Sequence, residues 1–334
     1  MASYKYLIVG TGMTADAAVQ GIRELDANGS IGLIGNDHNP PYNRPPLSKA
    51  LWRGKPLDSI WRRTQEFSVD LHLGRTVRSI DLNNKAVRDD QGADYKYEKL
   101  LLATGGTPRK LPFGSGDIIY YRTLEDYQHL RELSNHVEHF GVIGGGFIGS
   151  EIAAALTMNG KKVTLLFPDA GIGASIYPPA ISEYLNSFFH QKGVEVLSGV
   201  RVLGMQKQDN SYELVTDHGD KILVDGVIAG IGILPNVELA QSAGLKVANG
   251  IVVDDTLHTS HPDIFAAGDA AEFSSPILGK RLRIEHEDNA NTMGKQVGRN
   301  MAGDNEPYHH LSFFYSDLFE LCLLYTSPSP RDCS

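Results

Sequence analysis

Cysteine is nearly absent from the chain, and its absence excludes one class of redox enzyme. Only two cysteines occur in 334 residues. They are Cys322 and Cys333, so the sequence from Met1 to Leu321 has none. A disulfide reductase relays electrons through two neighbouring cysteines, typically spaced C-x-x-C. No such pair occurs here, and electrons cannot pass through a redox dithiol on this chain.

Long apolar runs and an excess of positive charge are also missing. No stretch reaches the length of a membrane span, and the first apolar segment starts too close to Met1 to leave room for a signal peptide. The net charge is −9, so nucleic-acid binding is not expected. We therefore expect a cytoplasmic protein of two or three globular domains, acting as a monomer or homodimer.

Glycine, by contrast, is abundant, and one glycine motif dominates the sequence. An apolar run at 142–143 leads into G-x-G-x-x-G at Gly144, Gly146 and Gly149, and a helical pattern follows. Such a strand–turn–helix cradles a pyrophosphate, because the glycines allow close approach and the helix N-terminus presents free N–H groups. Asp169 follows a second apolar run, 20 residues after Gly149, where a carboxylate can hydrogen-bond an adenosine ribose.

A second copy of this motif begins the chain. The apolar segment 4–9 is followed by G-x-G-x-x-A at Gly10, Gly12 and Ala15, and an acid arrives at Asp37. Either copy alone could be a glycine-rich turn of an ordinary α/β fold. Two copies, each with strand, helix and late acid, predict two dinucleotide sites, usually one for a flavin and one for a nicotinamide.

Two further segments repeat between the halves of the sequence. Ala103-Thr104-Gly105 follows an apolar run and precedes Pro108, and the segment 227–236, which contains Gly232, has the same layout. Small residues at such a point let a ligand approach the backbone. An internal duplication of a nucleotide-binding domain explains why the same layout occurs twice.

The proline-rich segment 39–49 carries two cations, Arg44 and Lys49. It is either a rigid wall that brings both side chains to a cofactor or a surface loop with solvated charges. We also expect Ser48 to cap the short segment that follows it.

Asp269 ends a further apolar strand after Gly268. Its carboxylate could accept hydrogen bonds from sugar or ribityl hydroxyls, or it could be the N-cap of the next turn. The acidic cluster around Glu285 and His286 does not predict a metal site, because no second histidine stands at ligand spacing.

The C-terminal segment is unusual. Residues 322–332 match one reading frame of a common sequencing adapter, which makes 322–334 an adapter-derived tail. The alternative is a Ser/Pro-rich terminus. On the first interpretation, residues after Leu321 are poorly packed.

Together these motifs resemble the two-dinucleotide-binding flavoproteins, and more narrowly the ferredoxin reductases and the apoptosis-inducing-factor-like oxidoreductases. The resemblance covers Lys5 to about Leu321 and also rests on Phe314-Tyr315-Ser316-Asp317. It implies an α/β fold with two Rossmann-like, three-layer ββα domains and a truncated C-terminal α/β domain. The implied boundaries are 1–112 with 244–304 for the FAD-binding domain, 113–243 for the NAD-binding domain and 305–321 for the start of the truncated domain.

The resemblance also implies a role for each matched residue. The FAD-binding residues are Gly10, Gly12, Ala15, Asp37, Arg44, Lys49, Ala103, Thr104, Gly105, Asp269, Glu285, His286 and Tyr315. The NAD-binding residues are Gly144, Gly146, Phe147, Gly149, Glu151, Asp169 and Gly232. The catalytic group consists of Lys49 beside the flavin, its partner Glu151, the nicotinamide-gating Phe147, and His286. Asn36 stands where relatives usually have Glu, and Tyr315 where they often have Trp.

Three functions remain open at this point. The first is an NADH-dependent FAD oxidoreductase that hands electrons to an external acceptor, either a ferredoxin-like protein, a quinone or oxygen. The second is an NADH-responsive redox switch with a long-lived charge-transfer complex and slow turnover. The third is a truncated chain that binds FAD without activity. Asp169 favours NADH, since a carboxylate repels the 2′-phosphate of NADPH.

Overall fold

The computed structural model describes residues 1–114 and 116–326. The strands are β1 Ala2–Val9, β2 Ile31–Gly35, β3 Val69–Leu73, β4 Val77–Asp81, β5 Ala86–Asp89, β6 Asp94–Leu102, β7 Gly106–Pro108, β8 Ile118–Tyr120, β9 His139–Ile143, β10 Lys162–Phe167, β11 Glu195–Ser198, β12 Val202–Gln208, β13 Ser211–Thr216, β14 Lys221–Val224, β15 Gly226–Ala229, β16 Ile233–Pro235, β17 Ile251–Val252, β18 Ile264–Ala266, β19 Ala271–Ser275, β20 Lys280–Leu282, β21 Phe313–Leu318 and β22 Leu321–Thr326. The helices are α1 Met13–Leu25, α2 Leu124–Ser134, α3 Phe147–Met158, α4 Pro179–Gln191, α5 Glu238–Ser242 and α6 Glu287–Met301.

The chain divides into two compact units, each assembled from separate segments. The first unit contains 1–43, 60–107 and 235–314, and the second contains 44–59, 108–234 and the described part of 315–334. The domain boundaries implied by the resemblance differ from these units, since 44–59 groups with 108–234 rather than with the N-terminal segment. The assignment of FAD to one domain and NAD to the other stays a prediction.

The first unit is built on a sheet in the order β3-β2-β1-β6, with β18 pairing beside β6. All four of these pairings are parallel. The strands β5 and β4 continue the sheet as an antiparallel hairpin. Parallel strands are buried on both faces, which explains why residues 6–9 of β1 and nearly all of β2 are apolar and buried. The first glycine motif thus follows a central strand, β1.

Helices α1 and α6 of this unit pack closely because glycines line their contact. A Cβ atom added to Gly21 would stand 2.1 Å from the Lys295 carbonyl oxygen, and one added to Gly298 would stand 2.0 Å from that of Ala18. A Cβ atom added to Gly294 would stand 2.6 Å from the Thr14 carbonyl oxygen. Only glycine allows two backbones to approach in this way. The small residues of α6 therefore fix α1 behind the first glycine motif.

The second unit repeats the same topology. Its sheet has the order β11-β10-β9-β15-β8, and every pairing in it is parallel. An antiparallel meander, β12-β13-β14, takes the place of the β4–β6 hairpin region. The second glycine motif follows the central strand β9 and opens α3, as the first motif follows β1 and opens α1. The predicted α/β fold is confirmed by these two parallel sheets.

The C-terminal segment forms a hairpin of β21 and β22 in the described part of the chain. Residues 321–326 form a strand, so this part of the predicted tail has regular structure, although its six side chains are half-buried or exposed. Residues 327–334, the rest of the predicted tail, lie outside the described residues. The adapter origin of 322–334 and the truncated domain at 305–321 stay predictions. Within the described residues, no helix combines the length and the apolar character that a membrane crossing needs.

Candidate functional site

The first glycine turn joins β1 to α1. Gly10 has φ +130°, and a Cβ atom there would stand 2.1 Å from the carbonyl oxygen of Ala103, so this position requires glycine. Gly12 is different. It has φ −91°, it is the N-cap of α1, and a Cβ atom added to it would meet nothing within 4 Å. The protein thus leaves space beside Gly12 at the N-terminus of α1.

The second glycine turn joins β9 to α3 and has the same geometry. Gly144 has φ +115°, and a Cβ atom there would stand 2.4 Å from the carbonyl oxygen of Gly230. At Gly149 the corresponding distance, to the Gly144 oxygen, is 1.8 Å. Gly146 is the N-cap of α3, with φ −80° and nothing within 4 Å of an added Cβ atom.

Both turns fit a pyrophosphate. The N-cap of each helix is a glycine, Gly12 for α1 and Gly146 for α3, and a helix N-terminus that follows such a turn is a common binding site for an anion. At Gly12 and Gly146 the protein itself gives no steric reason for glycine. A group that lies against the backbone gives one, because a side chain would fill the space that a phosphate needs.

Asp37 follows β2, the strand next to β1 in the sheet. Its carboxylate accepts hydrogen bonds from the Asn39 backbone N–H at 2.9 Å and the Tyr42 hydroxyl at 3.1 Å. Asn36 is exposed. The structure therefore gives Asp37 a role in holding its own loop, and its contact with an adenosine ribose stays a prediction.

The small-residue segment after β6 is held by one asparagine. Asn236 donates its side-chain N–H to the Thr104 carbonyl oxygen at 2.9 Å, and the Thr104 hydroxyl donates to the Asn236 carbonyl oxygen at 2.7 Å. The Asn236 backbone N–H donates to the carbonyl oxygen of Gly105, which has φ +66°. Ala103 is buried where it faces Gly10. Asn236 was not among the predicted site residues.

Asp269, Glu285 and His286 lie in the same unit, after β18 and before α6. Asp269 is the second residue of a short 3₁₀ turn whose N-cap is Ala267, so the alternative in which Asp269 caps that turn is wrong. Glu285 pairs with Arg283 at 2.6 Å, and the same guanidinium donates to the Asp269 carbonyl oxygen at 3.0 Å. His286 is the N-cap of α6. Among the described residues, no three potential metal ligands come together.

A buried cluster in the second unit surrounds Glu151. The carboxylate is 3% exposed and lies 2.7 Å from the Lys49 ammonium group, whose side chain is 10% exposed. The Ser48 hydroxyl donates to one carboxylate oxygen at 2.5 Å, and the Ser316 hydroxyl donates to the other at 2.8 Å. The Lys49 nitrogen also lies 5.3 Å from the centre of the Tyr315 ring. The predicted pair of Lys49 and Glu151 is thus present in the structure as an ion pair.

Ser48 does not cap the segment after it, contrary to our expectation. The N-cap of the next short helix is Lys49, without a side-chain hydrogen bond, and the Ser48 hydroxyl turns to Glu151 instead. A carboxylate is the stronger acceptor, because its negative charge strengthens the hydrogen bond. Arg44 donates to the Arg122 carbonyl oxygen at 2.8 Å.

The remaining residues predicted to bind NAD flank the second glycine turn. Phe147 is the first residue of α3, half-buried, with its ring edge-on to that of Tyr177 at 6.5 Å. Glu151 follows one helical turn later. Asp169 is exposed after β10, and its backbone carbonyl accepts from Gly199. Gly232, with φ +87°, is exposed after β15.

The predicted FAD-binding residues do not all fall in one compact unit. The first unit contains most of them, whereas Arg44, Lys49 and Tyr315 belong to the second. All predicted NAD-binding residues belong to the second unit. The hydroxyls of Ser48 and Ser316 were missed as partners of Glu151. Their only signal in the sequence is that Ser48 adjoins Lys49 and Ser316 adjoins Tyr315.

Comparison with known proteins gives consistent matches. The pyridine nucleotide-disulphide oxidoreductase family profile matches residues 4–294. Putidaredoxin reductase from Pseudomonas putida is 34% identical over 331 residues, which cover 95% of this chain and 78% of that protein. Mitochondrial apoptosis-inducing factor 1 from Dictyostelium discoideum is 33% identical, covering 94% of this chain and 65% of that protein.

A solved structure matches over nearly the whole chain. The covalent complex of putidaredoxin reductase with putidaredoxin aligns with a TM-score of 0.92 and 33% identity, covering 98% of this chain and 82% of that one. The glycine turns, the parallel sheets and these matches agree. The chain therefore belongs to the pyridine nucleotide-disulphide oxidoreductase family and is an oxidoreductase that uses FAD and NAD(H).

Proposed function

We propose that this protein is an NADH-dependent flavoprotein reductase whose electron acceptor is a ferredoxin-like protein. The observation that carries the proposal is the presence of two open glycine turns in a chain without a redox dithiol. Two dinucleotide sites provide for entry of electrons from NADH. Without a cysteine pair, the electrons leave the flavin directly to a molecule outside the chain.

The relatives support the choice of acceptor. Putidaredoxin reductase is similar to this chain over most of its length, and the matching solved structure is its complex with putidaredoxin. A rubredoxin–NAD(+) reductase from Pseudomonas putida is 32% identical, covering 93% of this chain and 83% of that protein. Small one-electron carrier proteins are thus the acceptors named in two of these matches.

The residues of the chain bind the cofactors and provide a fixed positive charge. When bound, FAD supplies a ring that takes a hydride from NADH and gives up electrons to the acceptor. Gly12 and Gly146 leave room for the two pyrophosphates, and the helices behind them supply N–H groups. Glu151 holds the Lys49 ammonium group in a fixed position, since the Ser48 and Ser316 hydroxyls occupy its other acceptor sites. Lys49 then provides a preorganised positive charge.

Asp169 is the basis of the proposed preference for NADH. Its exposed carboxylate follows β10, the strand beside the one that leads into the second glycine turn. We expect Asp169→Asn to narrow the ratio of kcat/KM for NADH to that for NADPH about tenfold, because the variant no longer repels the 2′-phosphate. The exposed Asp220, changed to Asn, is the matched control and should leave the ratio unchanged. An unaltered ratio in the Asp169 variant would refute the assignment.

The function itself is tested by anaerobic titration of the purified, FAD-loaded protein with NADH. We expect one equivalent of NADH to bleach the flavin absorbance. The reduced protein is then mixed with a ferredoxin-like iron–sulfur protein, a soluble quinone, or oxygen. Reoxidation by the iron–sulfur protein should be the fastest of the three.

Two results would contradict the proposal. A protein that retains no flavin, or whose flavin NADH does not reduce, is not a reductase of this kind. A protein that NADH reduces but that all three acceptors reoxidise slowly is better described as the NADH-responsive switch suggested by its similarity to apoptosis-inducing factor. The Gly146→Ala variant is the control, because it should keep its flavin and need about tenfold more NADH for its reduction.

A further inference from the structure

The loop between β10 and α4 contains a buried hydroxyl that no other described residue of the chain satisfies. Tyr177 is 8% exposed, and its hydroxyl has no hydrogen-bond partner among the described residues. Most buried side-chain polar atoms in proteins have such a partner, so an exception calls for an explanation. A ligand that brings its own acceptor to the hydroxyl is one explanation.

The position of Tyr177 is fixed relative to the second glycine turn. The Gly173 N–H donates to the Gly145 carbonyl oxygen at 2.8 Å, and the Tyr177 N–H donates to the Gly173 carbonyl oxygen at 2.8 Å. Gly173 has φ +66°, and a Cβ atom there would stand 2.4 Å from the Tyr177 ring. Two backbone hydrogen bonds and one required glycine therefore place the ring against the dinucleotide turn.

The ring of Tyr177 faces Phe147 at the start of α3, the residue to which the resemblance assigns the gating of the nicotinamide. It meets Phe147 edge-on at 6.5 Å. Phe147 and Glu151 are four residues apart and so lie on one face of the helix. Tyr325, in the predicted adapter-derived tail, is a further ring neighbour of Tyr177, at 5.8 Å. The neighbouring rings offer apolar surface to a flat ring, and the Tyr177 hydroxyl adds a polar group beside that surface.

The hydroxyl keeps its proton under ordinary conditions. Burial raises the pKa of Tyr177 above its usual value, and the nearby Tyr325 and Glu151 add to the rise. A phenol that stays neutral offers a hydrogen-bond donor at every pH at which the enzyme works. The group that it meets should therefore be an acceptor such as a carbonyl oxygen.

We infer that Tyr177 is a positioning residue that donates a hydrogen bond to the carboxamide of the nicotinamide ring. The inference rests on the proposed function, because it requires NAD(H) at the second glycine turn. The carboxamide carries a carbonyl oxygen on a flat ring, which matches the donor and its aromatic surroundings. Tyr177 thereby distinguishes the nicotinamide end of the cofactor from the adenosine diphosphate end.

The experiment compares NAD⁺ with ADP-ribose, which lacks the nicotinamide. Binding of each to the FAD-loaded protein is measured by titration calorimetry for the wild type, Tyr177→Phe and Tyr184→Phe. We expect Tyr177→Phe to weaken NAD⁺ binding about five- to tenfold and to change ADP-ribose binding less than about twofold. Tyr184 is 51% exposed on α4, and its variant should bind both ligands as the wild type does.

Each other outcome has a definite meaning. Equal NAD⁺ affinity in the wild type and Tyr177→Phe overturns the inference but leaves the proposed function intact. An equal loss for both ligands also overturns it, because the residue would then only support the loop. A wild type that binds neither ligand contradicts the proposed function itself. Thermal unfolding of ligand-free Tyr177→Phe should occur at or above the temperature of the wild type, since the variant loses no described partner and no longer buries an unpaired hydroxyl.

Discussion

At the scale of single residues, Glu151 is the buried charged group that depends most on its neighbours. It is a buried carboxylate with one buried cation, Lys49, and two hydroxyl donors. Removing one charge of such a pair is costly, because the remaining charge stays buried without compensation. Even a conservative substitution of either residue should therefore lower the stability of the folded state strongly.

We expect Glu151→Gln to lower the free energy of unfolding by about 3 kcal/mol, since it leaves Lys49 uncompensated. Urea unfolding measures the loss. Glu213→Gln is the matched control, because Glu213 pairs at 2.8 Å with Lys221, whose side chain is 64% exposed, and such pairs contribute little. The double variant Lys49→Met with Glu151→Gln should recover part of the stability. A cost no larger than that of the control would show that the pair is not buried in solution.

The second residue-scale prediction concerns the charge of Lys49. If a positive side chain favours the reduced flavin by ~3 kcal/mol, its removal lowers the two-electron midpoint potential by roughly 60 mV. We therefore expect Lys49→Met to shift the potential downward by about this amount, measured by dye-coupled spectrophotometric titration. Lys207→Met, at an exposed surface position, should leave the potential unchanged. An unchanged potential in the Lys49 variant would remove Lys49 from the flavin environment.

Some of these residues could be predicted from the sequence, and others could not. Lys49 and Glu151 were paired through the resemblance, and the structure brings them to 2.7 Å. The partners Ser48 and Ser316 could not be predicted, because serine at a single position carries no signal of a contact 103 or 165 residues away. Asp37 shows the opposite problem. Its spacing indicates a ribose ligand, while its carboxylate also holds the loop that follows.

At the scale of elements, ion pairs tie strands that are distant in the sequence. Asp263 precedes β18 and lies 2.6 Å from the ammonium group of Lys85 and 2.7 Å from that of Lys99 on β6. Hydrogen bonds from Lys85 and then Lys99 lower the pKa of Asp263 to about 2. The carboxyl group therefore stabilises the folded state only while it is ionised.

The contribution of Asp263 to stability should depend on pH in a definite direction. Because the folded-state pKa is the lower one, the stabilisation is full above about pH 5, falls to roughly half near pH 3, and is lost below about pH 2. We expect Asp263→Asn to cost about 1 kcal/mol at pH 6, a figure reduced because the lysine side chains are partly exposed. Urea unfolding of both proteins at pH 6 and pH 3 checks this. A difference that grows toward pH 3 would contradict the assigned sign.

Most elements follow from apolar patterning, and one helix does not. The apolar segment 4–9 lies in β1, the run at 142–143 ends β9, and the second apolar run, which precedes Asp169, is β10. Helix α4 was not predicted. It begins at Pro179 after Pro178, and two prolines suggest a loop although proline suits the first turn of a helix. The loop that carries Tyr177 was missed with it.

At the scale of the whole molecule, the two glycine turns should be separable by mutation. Gly12 and Gly146 are N-caps where an added Cβ atom meets nothing in the protein. We expect Gly12→Ala to lower the affinity for FAD at least about tenfold while ligand-free stability stays unchanged, because the methyl group occupies only ligand space. Gly146→Ala should instead keep FAD and weaken NADH binding to a similar degree.

Gly12→Ala and Gly146→Ala each serve as the experimental control for the other. Flavin content is measured by absorbance after purification, and NADH affinity by anaerobic titration. Gly149→Ala is the contrasting case, since its methyl group would stand 1.8 Å from a backbone oxygen and should impair folding. If Gly12→Ala and Gly146→Ala produced the same phenotype, the assignment of one cofactor to each turn would be wrong.

The sequence predicts the fold class of the two units better than it predicts which segments of the chain each unit contains. Two motifs and their late acids predict two nucleotide-binding α/β folds, and the two parallel sheets confirm the fold class. The grouping of 44–59 with 108–234 has no local signal, because it depends on contacts between distant segments. Hydrophobic periodicity reports which face of an element is buried and not which partner covers it.

The glycine-lined contact of α1 with α6 has a consequence for the order of events on the ribosome. The backbone of α1 meets Gly294 and Gly298, which are synthesised about 280 residues after the α1 residues that they contact. Strand β18 arrives almost as late. The side of α1 that meets α6 therefore lacks its partner while most of the other unit is made. A chaperone that shields nascent chains would find its binding site there.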